Sequence, residues 1–183
     1  IGNTYYDLQS NASLQRRILR HSNGTISVVW TMSQEDTPYP DRGTGYNFFN
    51  GSEWSTMPVN RVESQRTGWP SIIPIGDKGE AIISHSGEGL LDNPHQLVFT
   101  KRDTAGVGSW TESYIDNSNG CIWNRSASSD GTTIHVIAFT NKEQGNNTFT
   151  DDTLIYYRST DSGNNWETGI VIPGIDMKRA KDT

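Results

Sequence analysis

Trp54, Trp110 and Trp166 stand 56 residues apart, and each closes a polar turn that follows a strand-like run. A second marker keeps the same phase: Asn23-Gly24, Lys78-Gly79 and Asp130-Gly131 each precede an alternating apolar segment, their glycines 55 and 52 residues apart. Two independent markers in phase make chance a poor account. Repetition at about 40–50 residues with several short strands per unit is the signature of propeller blades. The chain therefore reads as one supersecondary unit written three times.

At 183 residues the chain could bury one ordinary core, yet three blades leave open sheet edges, and closed propellers take roughly four to eight. It begins at Ile1 with no basic and apolar leader, so a processed or partial chain is expected. No apolar run approaches the ~20 residues a membrane helix needs. A net charge of −6 argues against a nucleic-acid partner, because phosphate binding needs a dense basic surface. Cys121 is the sole cysteine, which excludes an internal disulfide and a cysteine-built metal site. His85 and His95 flank one loop without chelating spacing, and no metal site or cofactor is expected. The Asp-rich turns leave a structural Ca²⁺ open without indicating one.

Each unit reads as four strands. The expected strands are 16–20, 25–32, 45–50 and a segment after Trp54; then 71–75, 80–85, 96–101 and 110–115; then 125–129, 132–140, 154–159 and 167–172. β-branched and aromatic enrichment, with Gly, Asn or Asp at each first turn, supports this reading. The long connections, 33–44, 86–95 and 141–153, would emerge on one face, where function is expected if the chain carries one. Tyr39, Tyr46 and Trp69 are candidates to stack on sugar rings; Trp69 recurs as Trp123, which favours blade packing for that pair.

Ser159-Thr160-Asp161-Ser162-Gly163-Asn164-Asn165-Trp166 fits S-x-D-x-G-x-x-W. In it the chain resembles the Asp-box, or BNR, repeats of the sialidase superfamily. The expected role is structural: Asp161 accepts turn amides, Gly163 takes a left-handed backbone, and Trp166 covers the hairpin, with Ser159 closing the turn. The units ending at Trp54 and Trp110 keep the Trp and lose parts of the motif. YYDLQSNAS, DRGTGYNFF and ESQRTGW are similar to stretches of sialidase-fold propellers in bacterial surface proteins exported by type IX secretion.

The resemblance implies an all-β fold, a partial sialidase-like β-propeller of three four-stranded blades out of six. Residues 1–13 would be a lead-in, 14–62, 63–118 and 119–173 the blades, and 174–183 a linker to the remainder. In sialidases an Arg of the first blade grips the substrate carboxylate, and an Asp of the following loop is acid/base. Arg17, with Arg16 and Arg20 beside it, and Asp36 or Asp41 occupy those places. The remaining sialidase groups would come from later blades, so the chain alone is expected to be inactive. The leading expectation is a non-catalytic glycan- or partner-binding segment of a secreted or cell-surface protein, completed by further blades or by a second copy. The alternative is the N-terminal half of an exo-sialidase or related glycoside hydrolase.

Overall fold

The computed structural model describes residues 1–10, 14–87, 94–140 and 153–176. These form eleven strands in three antiparallel sheets, each a meander of consecutive strands. The first sheet holds β1 (Ile18–Arg20), β2 (Ile26–Met32) and β3 (Gly43–Phe49). The second holds β4 (Thr67–Ile75), β5 (Gly79–Ser86), β6 (Gln96–Arg102) and β7 (Thr111–Tyr114). The third holds β8 (Cys121–Ala127), β9 (Ile134–Thr140), β10 (Thr153–Ser159) and β11 (Ile170–Asp176). No helix among the described residues is long and apolar enough to cross a membrane.

The all-β reading and the three units stand, with local differences. Four strands are found in the second and third sheets, but the first has three among the described residues. Trp54 there makes only an isolated bridge to Phe49. The Met57-Pro58 that follows supplies a residue without an N–H donor, which works against a fourth ladder. β4 and β8 begin earlier than expected, because each carries a bulge at a Trp, between Gly68 and Ser71 and between Ile122 and Arg125. A bulge breaks the period-two alternation on which the sequence reading relied.

Period-two alternation splits the middle sheet into two faces. Ile73, Ile75, Ala81, Ile83, Leu97 and Phe99 pack with Ile134, Val136, Ala138, Ile155 and Tyr157 of the third sheet in one apolar core. Ile72 and Ile82 face the other way, onto Leu19 and Val29 of the first sheet. That second seam is partly polar. Ser27 on β2 hydrogen-bonds the buried Glu80 of β5, while Glu63 accepts from the Thr44 amide (2.9 Å) and from Ser84 Oγ (2.8 Å).

Two of the spaced tryptophans share one arrangement. Trp110 meets Tyr46 of β3 edge to face (5.3 Å, 76°), and Trp166 meets Phe99 of β6 in the same way (5.4 Å, 78°). Each thus packs on the third strand of the preceding unit. Trp54 differs and tilts against Phe49 of its own unit. In the turn before Trp166, Asp161 accepts from the Asn165 amide (2.9 Å) and Ser159 Oγ, which in turn accepts from the Gly163 amide (2.9 Å). The hydrogen bonds from Asn165 lead in holding the Asp161 carboxyl down to about 2 against its own desolvation. Gly163 lies at φ 77°, and a Cβ there would enter the Phe99 ring. Gly163→Ala is expected to cost about 1–3 kcal/mol in chemical denaturation, from backbone strain and overpacking together. A change below experimental error would show that neither constraint operates.

Candidate functional site

A cleft of about 570 Å³ opens between the β2–β3 connection, the β5–β6 connection and the start of β8. Two arginines enter it without a carboxylate partner among the described residues. Arg42 donates from Nε to the Thr67 carbonyl (2.9 Å) and lies over the Tyr6 ring, 5.5 Å from its centroid. Arg66 donates from Nε to the Tyr39 carbonyl (3.1 Å) and from Nη2 to that of Pro38 (3.3 Å). Both are thus held by neutral acceptors, which fix direction without cancelling charge. Burial, and then the nearby Arg66, lower the pKa of Arg42. A second cation so close makes the cleft a place where an anion is favoured.

His85 and His95 meet edge to face on the same wall, 5.5 Å apart. Burial leads in depressing both pKa values; at His85 the facing His95 and the two arginines add to it. Both rings are therefore neutral at pH 7, and their partners set the tautomers. The Ser86 carbonyl can only accept, so His95 Nδ1 carries the proton (2.6 Å) and its Nε2 keeps a lone pair. The Trp123 amide can only donate, so His85 Nδ1 accepts (3.4 Å) and the proton sits on Nε2. One ring therefore keeps an acceptor nitrogen and the other an N–H donor.

Trp69 and Trp123 complete the lining from the two bulges. Their φ values, 57° and 50°, lie in the left-handed region, where a bulky residue costs of order 1–3 kcal/mol. Neighbouring bonds hold the corners: the Trp69 amide donates to Thr31 Oγ1 (3.3 Å), and Arg125 donates to the Trp123 carbonyl (2.9 Å). Trp69 is buried, whereas Trp123 is 46% exposed and free to meet a ligand with its ring.

Of the residues expected from sequence, Trp69 lines the cleft, whereas Arg17, Asp36, Tyr39, Asp41 and Tyr46 are not part of its lining. Asp41, next to Arg42, accepts from Ser33 Oγ and the Gln34 amide (2.7 Å); these bonds outweigh its desolvation and keep its carboxyl below the usual range. It is committed to shaping the loop. Asp36 is exposed and caps the Thr37 amide (2.7 Å). Arg17 donates to the Gln9 carbonyl (3.0 Å), and burial with neighbouring Arg125 lowers its pKa to about 10. Tyr46 is half-buried against Arg102 and Trp110 and is not part of the cleft lining. The 141–152 part of the third long connection lies outside the described residues. Among the described residues no group of three metal-ligating side chains occurs.

No family model matches the chain, and no curated protein matches its sequence. Among solved structures the chain is similar to a polysaccharide lyase, PL25 ulvan lyase, bound to -[GlcA(1-4)Rha3S]-, with a TM-score of 0.61 and 12% identity. The match covers 92% of this chain and 41% of that one. At such identity the likeness is one of all-β fold.

Proposed function

We propose that this chain is part of a carbohydrate-active β-propeller and that its cleft takes an anionic saccharide, a uronate above all. The observation that carries the reading is the pair of guanidiniums, Arg42 and Arg66, held by backbone carbonyls and lacking any carboxylate partner among the described residues. Planar forks of this kind suit a carboxylate or sulfate ester, and Trp123 offers an apolar face to the ring between them. The structural neighbour's ligand, a glucuronate joined to a sulfated rhamnose, carries both anions. On this reading 14–62, 63–118 and 119–173 are blades, and further blades of a longer secreted or surface-attached polypeptide complete the ring. The turn at Ser159–Trp166 is the structural Asp-box of the third.

The histidines suit β-elimination. His95 Nε2 removes the proton on the carbon next to the carboxylate, and an arginine stabilises the charge that spreads onto the carboxyl oxygens. The bond from the adjacent carbon to the glycosidic oxygen then breaks, a carbon–carbon double bond forms, and His85 Nε2–H protonates the leaving oxygen. Hydrolysis by a carboxylate pair is less well supported, because no Asp or Glu is among the described residues that line the cleft. Recognition without turnover is the second reading, favoured by His85 being only 4% exposed.

Titration of the protein with glucuronate-containing oligosaccharides and their carboxyl-reduced, neutral counterparts tests the ligand class. Arg66→Ala is expected to weaken acidic binding about 10–100-fold, the loss of a charge-assisted contact of ~1.5–3 kcal/mol, with little effect on stability. Equal binding of the neutral saccharide, untouched by Arg66→Ala, would refute it.

A further inference from the structure

The segment ahead of β1 is fastened to the end of β2. The Tyr5 amide donates to the Ser33 carbonyl (2.9 Å) and the Ser33 amide to Thr4 Oγ1 (3.0 Å). Gln9 both donates to the Thr31 carbonyl (2.8 Å) and accepts from the Thr31 amide (3.1 Å). The Gln9 side chain also donates to the Tyr6 carbonyl (2.7 Å), closing the strap on itself. Between these anchors the half-buried Tyr6 ring meets Tyr39 edge to face (5.1 Å, 77°) and carries the Arg42 guanidinium on its face. Tyr39 in turn sits at φ 59° and offers its carbonyl to Arg66. One ring therefore touches the first cleft arginine directly and the second through Tyr39.

We propose that Tyr6 is a positioning residue for both guanidiniums, so that residues 4–9 form part of the ligand site. A guanidinium over an aromatic face is held in orientation as well as attracted. The order this imposes reduces what a ligand must immobilise on arrival. The Tyr39 backbone is held by its own turn, its amide donating to the Asp36 carbonyl (2.9 Å) and its carbonyl accepting from the Arg42 amide (3.1 Å), and the Tyr6 ring adds a side-chain contact that fixes its direction.

The proposal rests on the anionic-saccharide reading for its binding arm and has a second arm that does not. Tyr6→Ala, and Tyr6→Leu, which fills the space without an aromatic face, are expected to weaken a glucuronate oligosaccharide about 3–30-fold, the range of a cation–π contact of ~0.5–2 kcal/mol. Tyr6→Phe should bind within about two-fold of the parent. In ligand-free protein, NMR should show the Arg42 and Arg66 Nε–H protons exchanging several-fold faster with water in Tyr6→Leu, and unchanged in Tyr6→Phe. If the unmodified protein ignores the saccharide, the ligand reading falls and the exchange experiment still decides the role of Tyr6. Unchanged exchange in Tyr6→Leu would overturn the proposal, as would Tyr6→Phe behaving like Tyr6→Leu.

Discussion

Arg102→Ala is expected to lower the stability of the chain by about 3–5 kcal/mol, a large part of the ~5–15 kcal/mol that holds a typical domain together. Glu80 is fully buried, and Arg102 grips it with Nε (2.8 Å) and Nη2 (2.5 Å). The guanidinium also lies against both the Trp110 ring (4.1 Å) and the Tyr46 ring (4.4 Å). Removing it strands a carboxylate between the first two sheets and forfeits both ring contacts. Burial alone would raise the Glu80 pKa, but the His21 hydrogen bond, the Arg102 charge and the Ser27 bond bring it to about 2. Its folded value thus lies below the ordinary 4.5, so its contribution is present above pH 4.5 and is lost as pH falls towards 2. Urea denaturation at neutral pH reads the first effect, and repetition at descending pH the second. An Arg102→Ala cost under ~1 kcal/mol would mean that the seam does not depend on this pair.

His95→Ala is expected to reduce elimination on a uronate polysaccharide by about 10²–10⁴-fold while leaving binding within a few-fold. The reason is the tautomer: of the two histidines His95 keeps the lone pair, and alanine has none. Because burial depresses its pKa, the basic form persists as pH falls through the ordinary imidazole range. The acid limb of the rate profile should therefore lie below pH ~6.5. The ultraviolet absorbance of the unsaturated uronyl product follows the reaction. Turnover unaffected by His95→Ala removes His95 from the chemistry. Binding by the unmodified protein with no turnover at all would leave recognition as the function.

The parts of the fold that are local in sequence were legible there. Turn dipeptides and alternating runs located most strands, and the spacing anticipated that Trp110 and Trp166 match, though not that Trp54 differs or that each of the two sits on the preceding unit, at Tyr46 and Phe99, rather than over its own hairpin. What was not legible depends on geometry that no spacing records. Trp69 and Trp123 read as packing residues because one recurs as the other, whereas a bulge at each places both in the cleft lining. The loop after β2 was singled out for Asp36 and Asp41, yet Pro38, Pro40 and Arg42 are what it contributes to the lining. His85 and His95 were set aside because metal spacing was the pattern sought, while their partners, a carbonyl and an amide, emerge only on folding. Residues 1–13 read as a lead-in, since nothing in their sequence announces that Tyr6 will reach Arg42.

The left-handed corners at Trp69 and Trp123 set thermal robustness against the cleft. Glycine adopts that conformation without penalty, so exchanging either tryptophan for glycine relieves strain of order 1–3 kcal/mol even as it strips an aromatic wall. For Trp123, exposed where Trp69 is buried, less packing is forfeited and the relief weighs most. Directed evolution that rewards only heat resistance would then press towards glycine at 123 before 69 and strip the cleft of its exposed aromatic wall.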